Sequence, residues 1–360
     1  MWKLVERAVG AAMNAHYAKT HVQQAPLYAN TRIGTDTVVF VHGLHGHILE
    51  TWGKFPEFLA NDSELPHLDI LMWGYRASVF PGVLPIAKVG EALTGFVREQ
   101  TELEARIFFV GHSMGGLVIL RGLCDEAKEG RARQRPASRT RHVHLYATPS
   151  NGSEVAGAIA ATVGFLPRVG HFIAGHLKEL RRGVFCDTLM GDVVEHIYRP
   201  RIDPGDENRK VEIPIKAMVA ERDLAVTETA AKAIFKHPAP VLVLGATHTS
   251  VKEPEKPSDL SYRAFRESLV PHYTRWFHDL SVRAIDQKDP IAQGEVLQRC
   301  REPAVLRLQS HHPIGGGSAV SDERVQELLA IAMLLAKDAQ DLRLGRALDL
   351  ALDELVRHGR

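Results

Sequence analysis

Cysteine is scarce in this chain: Cys124, Cys186 and Cys300 are the only three in 360 residues, far apart and odd in number, with no CxxC pair. A disulfide framework and a paired-thiol redox centre are therefore not expected, and a reducing, cytoplasmic compartment fits. A long apolar run is also missing. No stretch reaches the roughly 18 uncharged residues of a membrane span, and the first residues, MWKLVERAVGAAMNAHYAKTH, carry Lys3, Glu6 and Arg7 instead of the apolar block of a secretory signal. Trp2, Val5, Val9 and Met13 share one helical face, which can rest on a membrane surface or on the protein itself. Excess charge of one sign is absent as well. Forty-four Lys plus Arg against 43 Asp plus Glu leave +1, so the global field provides no reason to expect nucleic acid as a partner. The densest basic run, RARQRPASRTR at 131–141, reads as a solvated loop between core elements.

What is present is an ordinary globular composition, 45% hydrophobic and 24% charged. Between residues 37 and 283, short β-branched apolar runs alternate with longer segments of helical period. The candidate strands are Thr37 to Val41, Leu68 to Gly74, Ala105 to Val110, His142 to Ala147, Ile213 to Val219 and Val241 to Gly245. Helices are read around 52–60, 86–98, 114–126, 227–235 and 261–280. This alternation predicts an α/β domain over 35–283: a mostly parallel sheet of about six strands with helices on both faces. Residues 1–34 are read as an N-terminal helical segment. Residues 152–201, with GFLPRVGHFIAGHLKELRRG, read as a lid-like helical insertion. Residues 284–360 read as an accessory segment, mainly a helical hairpin. Val325, Leu328, Leu329, Ala332 and Leu335 line one of its helices, and Leu344, Leu348, Ala351, Leu352 and Leu355 the other. The hairpin packs on the main domain or on a protein partner.

Residues 107–116, IFFVGHSMGG, place Gly111-x-Ser113-x-Gly115 between a strand and a helix. A turn tight enough to lift Ser113 above the strand ends leaves no room for side chains two residues either side, and glycine removes the clash. The helix start adds free N–H groups and a positive dipole end. Residues 38–52, VVFVHGLHGHILETW, end a strand in His42-Gly43. A loop there can supply one N–H, from Leu44, to an oxyanion whose other donor is the N–H of Met114. Gly43 permits the close approach, and His42, His45 and His47 can shape the pocket. A serine hydroxyl needs a base, and the base needs a carboxylate, in the chain order Ser, acid, His. Asp223 follows the Ile213 strand and His248 follows the Val241 strand, which fits that order, with Glu221 the rival acid. His112, beside Ser113, points the wrong way for the base and packs under the turn. No metal or cofactor is required, and His311-His312 reads as a loop pair.

HGLHGHILETW, GHSMGG, ATPSNGS (147–153) and THTSVKEP (247–254) together resemble the motifs of lipase-like α/β hydrolases, a group that includes serine-active-site lipid-remodelling proteins and the inositol deacylases of glycolipid anchors. The resemblance spans roughly residues 37 to 280. It implies an α/β-hydrolase fold, a Ser113–His248–Asp223 triad, and hydrolysis of small-molecule, lipid or acyl esters. Two departures stand out: Thr247 where the group often has an acidic residue, and Lys252-Glu253-Pro254 where it has a Lys-Pro pair. Residues 284–360 have no counterpart in the group. The apolar residues Phe165, Leu166, Phe172, Ile173, Leu177 and Leu180 of the insertion can roof an acyl pocket or cover the sheet edge. A thioesterase or protein deacylase would use the same triad. An interaction protein would use the same fold as a scaffold for its C-terminal helices.

Overall fold

The computed structural model describes residues 22–28, 36–44, 46–62, 64–65, 68–75, 77, 84–103, 105–128, 135–149, 184–197, 201–203, 206–211, 213–223, 226–228, 231, 239–311 and 320–357. They fall into two compact units, Met1–Glu57 with Leu68–Arg263, and Phe58–His67 with Ala264–Arg360.

The first unit is an α/β layer structure. Its strands are β1 (Val22–Tyr28), β2 (Thr37–Val41), β3 (Asp69–Tyr75), β4 (Ile107–His112), β5 (Thr140–Tyr146), β8 (Ile215–Ala220) and β9 (Val241–Val243), in the sheet order β1-β3-β2-β4-β5-β8-β9. A separate antiparallel pair joins β6 (Arg201–Asp203) to β7 (Asp206–Val211). From β3 to β9 every pairing in the main sheet is parallel, so the six strands expected from the apolar runs are all present. They read as continuous apolar runs because both faces are covered. Val39, Val41, Phe109, Val143 and Leu145 face a core shared with α2 (Ile86–Gln100), α3 (Met114–Lys128) and α5 (Val184–His196). On the other face Phe40 meets Trp52 edge-on at 4.9 Å and Phe55 at 5.5 Å, and Phe55 meets Tyr262 at 5.5 Å. Each such side chain contributes roughly 1.5–3 kcal/mol by leaving water.

The helical reading of residues 1–34 fails at Val22–Tyr28, which is an edge strand antiparallel to β3. VQQAPLY has no helical period, and Pro26, lacking an N–H, is tolerated at an edge and disfavours helix. The rest of that segment lies outside the described residues, as do most of the insertion, including its candidate roof residues, and most of the 227–235 helix. The 131–141 run is not all loop. Pro136–Arg139 form a helical turn, α4, and Arg139 is buried with its guanidinium donating to the Glu102 carbonyl.

The second unit is helical. It takes all but the first turn of α6 (Leu260–Ile285), then α7 (Pro290–His311), α8 (Asp322–Asp338) and α9 (Leu344–Arg357), besides the end of α1 (Phe55–Ala60). It begins at Ala264 and not at 284, because Phe277, Leu280 and Ala284 of α6 pack into the core of the later helices. The two helices of the expected hairpin are α8 and α9, but α7 is a third helix ahead of them. Its buried residues, Ala292, Val296, Cys300, Ala304 and Leu308, recur every four positions, and Asp289 caps it by accepting from the N–H groups of Ile291 and Ala292. Among the described residues no helix is long and apolar enough to cross a membrane.

Candidate active site

Within the parallel part of the sheet the chain runs from β2 to β3 on one side and then to β4 on the other, so the strand order reverses between β2 and β4. Such a switch point opens a crevice at the carboxyl ends of the strands. The loop after β2 and the turn after β4 both lie there, with Val41 paired to Gly111.

Ser113 occupies the turn between β4 and α3 with φ 51°, a left-handed conformation that a non-glycine residue adopts only when its surroundings impose it. Here the Ser113 N–H donates to the Tyr146 carbonyl at 2.9 Å, and the Ser113 carbonyl accepts from Gly116 at 3.1 Å. A Cβ on Gly115 would strike the carbonyl oxygens of Val41 and His42, and one on Gly111 would lie 2.7 Å from the Cα of Gly116. These are the close approaches that the glycine spacing predicts.

His248 Nε2 lies 3.1 Å from Ser113 Oγ, and His248 Nδ1 lies 2.8 Å from Asp223 Oδ2. The imidazole therefore donates from Nδ1 to the carboxylate and accepts the hydroxyl proton at Nε2. The Asp223 side chain is wholly buried and that of His248 is 18% exposed. Asp223 Oδ1 accepts from the Val226 N–H at 3.1 Å, which fixes the carboxylate's orientation. Glu221 is exposed and accepts instead from the Gly245 N–H at 2.7 Å, so it holds the turn and does not touch His248. Thr247 and Ser250 bond reciprocally around His248, each side chain accepting the other's N–H, at 2.9 and 3.2 Å.

His42 and Gly43 shape the neighbouring loop. His42 is buried, donates from Nδ1 to the Gly43 carbonyl at 2.9 Å, accepts from the Tyr75 N–H at 3.3 Å, and stacks on the Tyr75 ring at 4.9 Å. Burial lowers its pKa to about 4, so the ring is neutral. The Gly43 carbonyl also accepts from Gly46 at 3.1 Å. In a trans peptide the C=O and N–H oppose each other, so pinning this carbonyl turns the Leu44 N–H away from it. Gly43 lies against Ser113, where an added Cβ would come within 2.8 Å of the serine Cβ. Met114 is the first residue of α3, whose N–H has no intrahelical partner. His45 lies outside the described residues; His47 caps the following turn by accepting from Leu49 and Glu50.

Sequence reasoning missed two contacts. His112 donates from Nε2 to the carbonyl of His248 at 3.0 Å, and Lys252, buried, donates to the carbonyl of Thr249 at 3.0 Å while pairing with Glu253. The signal for Lys252 was its place in the Lys252-Glu253-Pro254 segment shortly after His248. Among the described residues no group of three or more His, Cys, Asp or Glu is arranged to hold a metal. His312 lies outside them.

The parallel sheet, the strained serine turn at its switch point and the two covering layers define an α/β-hydrolase fold. Residues 34–143, the part that carries β2 to β4, the Ser113 turn and the start of β5, match the family described as "Putative serine esterase (DUF676)". No curated protein matches the sequence. Similar solved structures include a monoacylglycerol lipase from Paleococcus ferrophilus, at 18% identity and TM-score 0.43 over 70% of this chain and 100% of that one. A Bacillus licheniformis lipase is 15% identical with TM-score 0.45, covering 69% and 96%, and the Butyrivibrio proteoclasticus protein Est1E is 15% identical with TM-score 0.43, covering 69% and 91%.

Proposed function

We propose that this protein is a serine esterase that cleaves carboxylic esters, of lipids or other acyl compounds, through an acyl-enzyme. The observation that carries the proposal is the unbroken hydrogen-bonded line from Ser113 Oγ through His248 to the buried carboxylate of Asp223. His248 takes the Ser113 proton as Oγ attacks the ester carbonyl, and Asp223 stabilises the imidazolium. The N–H groups of Leu44 and Met114 receive the negative charge that builds on the carbonyl oxygen. The imidazolium then returns its proton to the leaving alcohol. Water, deprotonated by the same ring, releases the acid and restores Ser113. None of these steps requires a metal or organic cofactor.

A fluorophosphonate probe tests the proposal. Folded wild-type protein is expected to label at one site and Ser113→Ala to remain unlabelled. Failure of the wild type to label, or equal labelling of the variant, refutes it. Turnover of matched oxyester, thioester and amide substrates then places the acyl chemistry.

A further inference from the structure

The turn that carries His248 is held from inside the protein by two side chains on successive carbonyls. His112 ends β4 next to Ser113, is buried, and donates from Nε2 to the His248 carbonyl at 3.0 Å. The far side of its ring adjoins the loop after β2, since a Cβ on Gly43 would lie 3.2 Å from His112 Nδ1. One imidazole thus touches the loop after β2 and the backbone of His248 while sitting one residue from Ser113. Lys252, 3% exposed, reaches back along its own turn to the Thr249 carbonyl at 3.0 Å and is neutralised by Glu253. A buried ammonium is costly to keep, and a surface position would satisfy Glu253 equally well.

Taking Ser113 and His248 as nucleophile and base, we propose that His112 and Lys252 are positioning residues, which fix the catalytic imidazole by gripping the carbonyls of residues 248 and 249. Neither reaches the reacting atoms. Burial and the nearby Lys252 charge hold His112 well below the usual histidine pKa, so its Nε2–H is present as a neutral donor across the working pH range. With the His248 carbonyl held, the ring has one placement at hydrogen-bonding distance from Ser113 Oγ. Released, the turn can move the ring, and displacements of about 1 Å cost on the order of 100-fold in rate.

The test separates the hydrogen bond from the volume of the ring. His112→Phe fills the space without a donor, and His112→Gln places an amide N–H near the position of Nε2. For a short-chain ester, His112→Phe is expected to lower kcat about 10- to 100-fold with KM changed less than about threefold. The rate of fluorophosphonate labelling, read on the folded fraction, should fall by the same factor. His112→Gln is expected to recover most of both losses. Lys252→Met, which keeps the stem and removes the donor, should show the same split between kcat and KM. A His112→Phe variant that reacts as fast as wild type, or a His112→Gln variant as impaired as His112→Phe, overturns the proposal and leaves a packing role. A wild type that does not label at Ser113 removes the esterase reading and this inference together.

Discussion

Asp223→Asn perturbs the proposed triad without changing its shape. The carboxylate accepts from His248 Nδ1 at Oδ2 and from the Val226 N–H at Oδ1, at 2.8 and 3.1 Å in a fully buried position. Asparagine has one acceptor and one donor end for those two donors. With its oxygen on Val226, its amide meets Nδ1 and drives the ring proton to Nε2, where the ring can no longer accept from Ser113. With the amide turned over, two N–H groups face each other in a buried site, at about 1–3 kcal/mol. In either orientation the imidazolium loses its counter-charge, worth about 4 kcal/mol for unit charges roughly 4 Å apart at an effective dielectric constant near 20. The sum is about 5 kcal/mol or more, and at about 1.36 kcal/mol per decade kcat falls roughly 10⁴-fold. Glu221→Gln is the control: its carboxylate is exposed and accepts from Gly245 at 2.7 Å, so kcat should stay within about twofold. Turnover of a short-chain p-nitrophenyl ester reads both. Retention of more than about a tenth of wild-type kcat by Asp223→Asn, or an equal loss in Glu221→Gln, would refute the assignment of the acid.

Stability should depend on pH through His42. Its pKa falls from 6.5 to about 4 on folding because burial disfavours the imidazolium, so the unfolded chain binds the proton first. Its contribution is complete above the unfolded value and is lost as the pH falls toward 4, by about 3 kcal/mol in all. His112 and His144, also lowered by burial, act in the same direction. Urea titrations between pH 7.5 and 4.5 should show the slope, His42→Asn should flatten it, and a flat wild-type profile would contradict the reading. In α2, alanine should have opposite effects at two glycines. At Gly90 a Cβ would lie 2.9 Å from the backbone nitrogen of Gly122 where α2 crosses α3, whereas at Gly95 it meets nothing within 4 Å. Gly90→Ala should cost about 1–3 kcal/mol and Gly95→Ala should add about 0.5–1 kcal/mol, both read by urea denaturation.

The parts of the fold legible in the sequence were those in which one physical demand acts on consecutive residues. Strands buried on both faces must be apolar throughout, so β2 and β4 stood out as TVVFV and IFFVGH. The Ser113 turn was legible because backbone carbonyls and a helix backbone occupy the space of the missing Cβ atoms at Gly115 and Gly111. β1 was not legible, since an edge strand of VQQAPLY is specified by its pairing with β3 and not by its own pattern. α7 escaped for another reason. Its stripe is regular, but it is built partly from small residues, Ala292, Cys300 and Ala304, and is crossed by Pro303. From the sequence, Asp223 is the expected acid and Glu221 its rival. Both follow β8, and only the turn that closes Asp223 N–H onto the Ala220 carbonyl at 3.2 Å brings one to His248 and sends the other to Gly245.

That same geometry makes the loop after β2 and the Ser113 turn a single mechanical element. Gly115 can approach the carbonyls of Val41 and His42 only because it has no Cβ, and Gly43 lies against Ser113 for the same reason. His42 ties the Gly43 carbonyl to the backbone of Tyr75 at the end of β3, and His112 ties the end of β4 to the turn after β9. A shift of Ser113 would therefore have to carry the β2 loop with it, and both would drag the His248 turn. The proposed oxyanion donors, preset in this way, would need no reorganisation as charge develops, which is where most electrostatic stabilisation of an oxyanion arises. The strained φ of Ser113 fits the same account, because a conformation costing about 1–3 kcal/mol persists only where its surroundings over-determine it. Changes in substrate preference among variants of this protein should accordingly come from residues outside the interlocked turns, and substitutions within them should change kcat for every ester alike.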